Sequence, residues 1–454
     1  MSSKLLAFVV VSSLVVLTAA TIDLNALLNY AAQPVPAYIT KDNTGTNAID
    51  DKVATLGRVL FYDKKLSVNN TIACGSCHKQ QFAFGDVALQ SPGVAGSTAR
   101  HSMRLANARF GTEVKFFWDE RAATLENQTT MPVKDHVEMG FSGANGDPGI
   151  DSLINKLENV GYYDTLFTFA YGSAVITETK LQTALAQFVR SIQSFDSKFD
   201  TGLAAVNGNL GVNFPNFTAA ENAGKQVFLL PPPNGAGCQG CHRAPEFDID
   251  PNSLNNNIIG NLNNPGTPDI TVVRSPSLRN VVGPGGASNG RLMHDGSLVT
   301  LLDVVNHYNV ITFNPNVNPN LDNKLKGPNG TGQNLNLTTT QKNNLVAFLQ
   351  TLTGVAVYTD ERWSDPFNAN GSLSVVPLVS PPTVIIDGKT KLMIMDTVTT
   401  GDYVVVRQND GTLALRRNRL SVSATGDTLY NGSSWVIVPG ISNANFKGTG
   451  GNKQ

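Results

Sequence analysis

The sequence predicts a mainly α-helical fold that ends in a small β module. Three observations carry this prediction. Apolar residues recur at helical spacing over residues 179–199, and further helical segments are predicted at residues 298–308 and 338–352. A Cys-x-x-Cys-His motif occurs twice, once in each of two successive segments, which predicts two related domains. β-rich runs dominate residues 383–446.

Length and composition exclude several classes of protein. A chain of 454 residues allows about three domains. Its 34 basic and 35 acidic residues give a net charge of -1, so no global field attracts nucleic acid or an anionic membrane. An apolar content of 41% excludes disorder along the whole chain. The charged fraction of 15%, against roughly 25% in an average soluble protein, favours an envelope or secreted protein.

Residues 1–20 have the pattern of a secretory signal peptide. Lys4 supplies the positive region, residues 5–17 are apolar, and small residues precede a cleavage site after Ala20. The alternative is an uncleaved anchor, but the apolar run is too short to span a membrane. No later segment reaches the ~18 apolar residues of a transmembrane helix. We therefore expect an exported, periplasmic protein whose mature chain has no membrane span.

All four cysteines belong to the two Cys-x-x-Cys-His motifs, which are the attachment pattern of c-type haem. Two thiols at this spacing reach the two vinyl groups of one porphyrin edge, and the following histidine ligates iron. Disulfides, a zinc site or a thioredoxin-like pair would not explain why a histidine follows both pairs. The sequence predicts two covalently bound haem c groups, attached and ligated by Cys74, Cys77 and His78 and by Cys238, Cys241 and His242.

The first domain is predicted to span residues 21–208. An apolar stretch at residues 56–63 leads to a turn before the first motif. A helix is predicted over residues 179–199, and its apolar stripe is interpreted as core. The stripe consists of Leu181, Leu185, Phe188, Val189, Ile192 and Phe195.

The second domain is predicted to span residues 209–372. Thr218 and Glu221 form a capping-box pattern, and the helix that follows runs to Leu229 before three prolines at residues 231–233. An Asn- and Pro-rich loop at residues 252–268 follows the second motif.

The rest of the chain is predicted to be a linker, a β module and a disordered tail. The linker covers residues 373–382, the module covers residues 383–446, and the tail covers residues 447–454. Turn signals at residues 409–411 and 431–432 separate the β-rich runs. No chemistry is assigned to the module.

Residues 56–367 resemble the bacterial dihaem cytochrome c peroxidases and their MauG-type relatives. The resemblance rests on the two haem motifs and on three further stretches. These are Phe-Trp-Asp-Glu-Arg-Ala at residues 117–122, Arg-Ser-Pro-Ser-Leu-Arg-Asn at 274–280 and Met-His-Asp-Gly at 293–296. It implies two cytochrome c-like lobes, with peroxide reacting at the N-terminal haem and electrons arriving through the C-terminal haem.

The resemblance also implies the residues of the peroxide site. Counted from Trp118, the family positions fall on Gln128, Pro132 and Glu138. A carboxylate there can take a proton from peroxide and return it to the leaving oxygen. The alternatives are a surface carboxylate for Glu138 and ordinary loop packing for the other two. Trp118 matches the indole between the haems, its alternative being a core residue.

Two further histidines are not assigned as ligands. No histidine occupies the stretch where many relatives have a loop that blocks the peroxide site. His101 is interpreted as structural, and His136 as a surface residue or a residue behind the site.

The second haem is expected to take a sixth ligand fourteen residues after His294, at Tyr308. Peroxidases of the family have Met at this position, whereas MauG-type enzymes have Tyr. Met293 is the alternative ligand. A thioether raises the potential of a haem, and a phenolate lowers it.

A calcium ion between the domains is implied by the resemblance alone. Its ligands by position would be the side chain of Asn107 and the backbone carbonyls of Asn289 and Arg291.

The predicted reaction is reduction of hydrogen peroxide to water with electrons from a small cytochrome c or cupredoxin. The alternatives are a MauG-like oxidase, which uses peroxide to oxidise a protein or organic substrate, and a non-catalytic electron carrier. Tyr308 favours the MauG-like reaction.

Overall fold

The computed structural model describes residues 21–249, 251–271 and 273–378, and the backbone of six strands beyond residue 382. The predicted signal peptide, the turns at residues 409–411 and 431–432 and residues 448–454 lie outside the described residues. The chain divides after Pro377 into two units.

The first unit is mostly helical, as predicted. Its helices are α1 Asp51–Tyr62, α2 Cys74–Cys77, α3 Leu125–Thr130, α4 Ile150–Glu158, α5 Gly161–Tyr171, α6 Glu178–Ser191, α7 Lys198–Ala205, α8 Ala219–Leu229, α9 Leu301–Asn309 and α10 Thr339–Gln350. Short 3₁₀ turns lie at Lys64–Leu66, Gln80–Phe82, Cys238–Gly240, Asn323–Leu325, Pro328–Gly330, Ala356–Tyr358 and Glu361–Trp363. Its strands are β1 Thr21–Asp23, β2 His242–Arg243, β3 Asp248–Ile249 and β4 Ser374–Val376.

Side-chain caps fix where several helices begin. The Asp50 carboxylate accepts from the backbone N–H groups of Lys52 and Val53 at 2.9 and 3.1 Å and starts α1. Thr218 and Glu221 form the predicted capping box, so the prediction for α8 is confirmed. The helices predicted near residues 298–308 and 338–352 are present as α9 and α10.

Helix α6 is shorter than predicted. It ends at Ser191, because Ile192 adopts an extended backbone with φ -74° and ψ 102°. A capping box between Ser197 and Asp200 then starts α7. The apolar pattern continues past Ser191 because the irregular connection is also packed in the interior, where Ile192 is 0% exposed.

In each of two helix pairs, one glycine lets the two helices approach closely. A Cβ atom at Gly57 of α1 would lie 2.0 Å from the carbonyl oxygen of Ala184 in α6. A Cβ atom at Gly224 of α8 would lie 1.9 Å from the carbonyl oxygen of Asn344 in α10. Of these helices, α1 contacts the first cysteine motif and α8 contacts the second, so a glycine-bearing helix lies beside each motif.

Two apolar cores form around these helix pairs. One forms around α1, α5 and α6, and the other around α7, α8 and α10. Trp363 returns to the first core, where its indole donates to Ser191 Oγ at 3.2 Å. Strand β4, from the predicted linker, pairs in parallel with β1.

The second unit contains strands in the predicted β-rich region, and the last strand extends one residue beyond it. They are β5 Thr383–Asp387, β6 Lys391–Met395, β7 Tyr403–Arg407, β8 Leu413–Arg417, β9 Val436–Val438 and β10 Asn445–Lys447. One sheet has the order β10-β6-β5 and the other β7-β8-β9. β5 and β6 are antiparallel, with Thr383 opposite Met395, whereas β10 runs parallel to β6. The turn signal at residues 409–411 falls between β7 and β8, which pair as a hairpin.

Candidate active site

The first cysteine motif forms the one-turn helix α2, and its histidine is fixed in one tautomer. Both thiols are free. Nδ1 of His78 lies 3.0 Å from the carbonyl oxygen of Phe84. A carbonyl only accepts, so Nδ1 carries the proton and Nε2 keeps its lone pair for a metal. Burial lowers the pKa of His78, which favours this neutral form. Left-handed backbone at Ala83 and Phe84 turns the carbonyl back to the ring.

A cleft with about 1210 Å³ of empty space opens beside His78. The structure brings the residues predicted for the peroxide site together there. Cys77, His78, Trp118, Gln128, Pro132 and Glu138 all line this first cavity.

Glu138 is half-buried at this cavity. Its backbone N–H donates to Asp135 Oδ1 at 2.9 Å, and its carbonyl accepts from Val94 at 3.1 Å, so the residue is held from both sides. Burial, aided by the charge of Asp135 and opposed by Arg121, raises the pKa of Glu138 to about 7. A carboxyl with this pKa can both accept and return a proton near neutral pH.

The two unassigned histidines have different surroundings. Nδ1 of His136 lies 2.8 Å from Asp147 Oδ2, its side chain is 43% exposed, and it lines neither cavity. This supports its interpretation as a surface residue. His101 is buried, with Nδ1 2.9 Å from the carbonyl oxygen of Ala88. His101 lines both cavities, which the sequence did not indicate.

The second motif begins with a 3₁₀ turn and ends in strand β2. A second cavity, with about 1510 Å³ of empty space, is lined by Cys238, Cys241 and His242. Burial lowers the pKa of His242 to about 4, against the opposing effect of the Pro276 carbonyl. Among the described residues, Nδ1 of His242 has no hydrogen-bond partner within normal distance. His78 and His242 therefore differ in the hydrogen bonding of Nδ1.

Both candidate sixth ligands line this second cavity. The side-chain amide of Asn256 connects them, since its Nδ2 lies 3.1 Å from Tyr308 Oη and 3.6 Å from Met293 Sδ. Burial raises the pKa of Tyr308, so the phenol is protonated unless a metal is bound. His307 also contacts this loop, through Nε2 and the Asn256 carbonyl at 2.9 Å. Asn256 lies in the predicted Asn- and Pro-rich loop, whose composition gave no sign of this role.

Trp118 lies between the cavities and lines both. Its indole donates to the carbonyl oxygen of His101 at 2.7 Å, and its own carbonyl accepts from the Arg274 N–H at 2.7 Å. Its ring packs edge-on against His294 with centroids 6.3 Å apart. These contacts fix the indole at the boundary between the two sites.

The side chain of Asn107 is engaged with the backbone of Ser194. Its amide donates to the Ser194 carbonyl at 3.1 Å and its oxygen accepts from the Ser194 N–H at 2.6 Å. Among the described residues, no three His, Cys, Asp or Glu side chains converge as a metal cluster. Calcium bound by Asn107 and the carbonyls of Asn289 and Arg291 stays a prediction.

These features fit two haem c groups, because Cys77 lines the first cavity, Cys238 and Cys241 line the second, and each cavity has a histidine with a lowered pKa and space for a large ligand. This arrangement is the one expected of an oxidoreductase with c-type haem.

Comparisons with known proteins lead to the same class. Residues 51–207 match the family model of the di-haem cytochrome c peroxidases. The methylamine utilization protein MauG of Methylophilus methylotrophus is 28% identical over 321 residues, which cover 69% of this chain and 85% of the relative. Cytochrome c551 peroxidase of Nitrosomonas europaea is 26% identical over 344 residues, which cover 72% of this chain and 85% of the relative. The chain is therefore similar to the dihaem cytochrome c peroxidases and to the MauG proteins.

Solved structures show a similarity to the same group of proteins. A MauG-like protein associated with microbial copper homeostasis is 28% identical, with a TM-score of 0.58 over 73% of this chain and 98% of that protein. A variant of the dihaem peroxidase BthA from Burkholderia thailandensis has a TM-score of 0.52 and covers 74% of this chain and 96% of that protein. Its sequence identity is 20%, so this similarity supports the fold alone. None of the described helices has the length and apolar character needed to cross a bilayer.

Proposed function

We propose that this protein reduces hydrogen peroxide to water with two electrons and two protons. The observation that carries the proposal is Glu138, whose half-buried carboxyl shares the first cavity with His78 and has its pKa raised to about 7. A proton-transfer group beside one proximal histidine, combined with a second haem motif, suits a peroxidase better than a simple electron carrier.

The residues of the first cavity have separate tasks. A haem attached to Cys74 and Cys77 supplies the iron redox chemistry. His78 is oriented by Phe84 and presents Nε2 as the proximal ligand. Glu138 takes a proton from the substrate and returns it to the departing oxygen, so that O–O cleavage does not release hydroxide. Gln128 and Pro132 line the pocket and limit where the substrate can lie.

Electrons enter through the second cavity and pass Trp118, which lines both sites. The donor is a small periplasmic cytochrome c or cupredoxin. Export by residues 1–20 would place the mature chain, from Thr21, in the periplasm. A calcium ion at Asn107 would stabilise the boundary between the two haem domains.

A MauG-like oxidase is the second candidate function. The hydrogen bond from Asn256 to Tyr308 favours it, because a phenolate ligand would lower the potential of the second haem and stabilise its oxidised states. The protein would then use peroxide to oxidise a protein or organic substrate instead of a small redox donor.

A steady-state assay with the purified holoprotein distinguishes the functions. Peroxide is supplied with reduced cytochrome c or cupredoxin, and separately with candidate organic substrates. Donor oxidation that depends on peroxide supports the peroxidase, whereas oxidation of an organic substrate alone supports the MauG-like reaction. Absence of peroxide turnover with every reductant would contradict both and leave an electron carrier.

A further inference from the structure

Two arginine side chains lie between the cavities. Arg104 and Arg274 each line both the first and the second cavity. Arg274 is 5% exposed, and the charge of Arg104 lowers the pKa of His242, which places this guanidinium near the second motif.

Neither guanidinium has the partners that a buried cation needs. Nε of Arg104 and Nε of Arg274 are buried without a hydrogen-bond partner, and within the described part of the chain neither residue forms an ion pair. Arg274 Nη1 donates to the carbonyl oxygen of Lys115, and its guanidinium lies 4.5 Å from the centre of the Phe116 ring. Carboxylates in the surroundings, among them Glu113, interact with Arg274 only at longer range.

Other arginines of the protein have the carboxylate partners that Arg104 and Arg274 lack. Among the residues that the structure describes, ion pairs with an Asp or Glu side chain are formed by Arg100, Arg109, Arg121, Arg190, Arg279 and Arg362. Burial lowers the pKa of Arg104 and of Arg274 to about 10, which reflects the cost of an uncompensated buried charge. Within the described residues, Arg104 and Arg274 therefore lack the anionic partner that the other arginines have.

The chemistry of a haem c group supplies that anion. Its thioether bonds form at one edge of the porphyrin, and two propionate carboxylates project from another. A planar guanidinium binds a carboxylate through two parallel hydrogen bonds, which also uses the free Nε. Both arginines line both cavities, so each can serve the propionates of a haem held in either one.

We propose that Arg104 and Arg274 are the counter-ions of the haem propionates and that they set the reduction potentials of the haems. This inference rests on the two haems of the proposed function, but it does not require peroxide turnover. A positive charge beside a haem favours the reduced iron, so its removal lowers the potential.

The test is a potentiometric titration of the holoprotein, followed by absorption, for Arg104→Gln and Arg274→Gln. Two haems per chain are first verified by mass spectrometry. At the wild-type midpoint, the ratio of reduced to oxidised haem should fall about tenfold or more for at least one haem in each variant. Arg109→Gln is the matched control, because it removes one positive charge from an arginine that pairs with Asp42 and lines neither cavity.

Shifts no larger than that of Arg109→Gln would overturn the proposal. If a Gln variant does not retain both haems, the Arg104→Lys and Arg274→Lys variants are measured instead. They keep the positive charge but lose the planar guanidinium group with its paired N–H donors. Resonance Raman spectra of these variants should then show altered propionate bending bands, and unchanged bands would also overturn the proposal. A wild-type protein with two haems but no peroxide turnover would contradict the proposed function and leave this inference testable.

Discussion

The side-chain amide of Asn256 donates a hydrogen bond to the phenol oxygen of Tyr308 at 3.1 Å. The same nitrogen lies 3.6 Å from the sulfur of Met293, so both candidate ligands of the second haem meet at one point of the cavity. The amide can stabilise a phenolate by donating to it, whereas it offers little to a thioether. This contact favours Tyr308 and leads to the first prediction.

We predict that the resting ferric protein contains one five-coordinate, high-spin haem and one six-coordinate haem without a Met–iron charge-transfer band. An anionic oxygen ligand favours ferric iron, so the six-coordinate haem should resist reduction by ascorbate. Tyr308→Met should raise its potential. Absorption and EPR spectra with a redox titration measure these properties.

Met293→Ala is the control for that experiment. With Tyr308 as the ligand, Met293→Ala leaves the six-coordinate spectrum in place. A Met–iron band in the wild type that disappears in Met293→Ala would show that the sulfur is the ligand, and the MauG-like alternative would lose its main support.

We predict two covalently bound haems in each mature chain. None of the four cysteines is part of a disulfide, as haem attachment requires. Intact-protein mass spectrometry should give the polypeptide from Thr21 plus two haems. Cys238→Ser should weaken attachment at the second motif and leave the first haem in place. A wild-type mass with one haem, or with zinc, would contradict the assignment of the motifs.

The sequence predicts a helix boundary correctly where nearby capping residues set it. Thr218 and Glu221 gave α8 its start because both partners of a capping box are three residues apart in sequence. The prediction for α6 was too long, since apolar spacing reports burial and does not stop when the backbone leaves the helix at Ile192. Helix α1 was missed as a helix, although Asp50 is a good cap.

Long-range contacts could not be predicted from the sequence. Trp363 packs in the first core beside Ser191, and no local pattern indicates a contact between positions so far apart. Asn256 and Arg104 were missed as site residues for the same reason, because their importance depends on what faces them across a cavity. Glu138 could be placed by its spacing from Trp118, but its raised pKa depends on burial that only the structure shows.

We predict that Gly57→Ala and Gly224→Ala destabilise the protein. The added methyl group would lie about 2 Å from a backbone carbonyl of the partner helix, so two helices must separate. Overpacking of this kind costs about 1–3 kcal/mol, more than the gain of up to about 1 kcal/mol in helix propensity. Thermal unfolding followed by circular dichroism should show a melting temperature lower by a few degrees.

Gly161→Ala is the matched control for the glycine variants. Gly161 begins α5, and a Cβ atom there would meet nothing within 4 Å. Its stability should change by less than about 0.5 kcal/mol. Equal melting temperatures for all three variants would show that the helix pairs tolerate the extra methyl group.

We predict that peroxide turnover depends on pH through Glu138. Burial raises the pKa of its carboxyl to about 7, and only the deprotonated form can accept the first proton. The value of kcat/KM should therefore fall as the pH drops below about 7 and level off above it. A profile that is flat between pH 5 and pH 8 would assign proton transfer to another group.

We predict that Glu138→Gln retains both haems but slows peroxide turnover by about 10² or more, the usual effect of losing a general acid–base group. The amide is nearly isosteric but cannot shuttle a proton, so binding of the haem at Cys77 and His78 should be unaffected. Glu158→Gln is the control, since Glu158 is exposed at the end of α4 and lines neither cavity. Stopped-flow and steady-state rates with reduced cytochrome c measure the effect. If Glu138→Gln turns over peroxide as fast as Glu158→Gln does, the carboxyl at position 138 is not the proton-transfer group, and the first cavity must use a different acid.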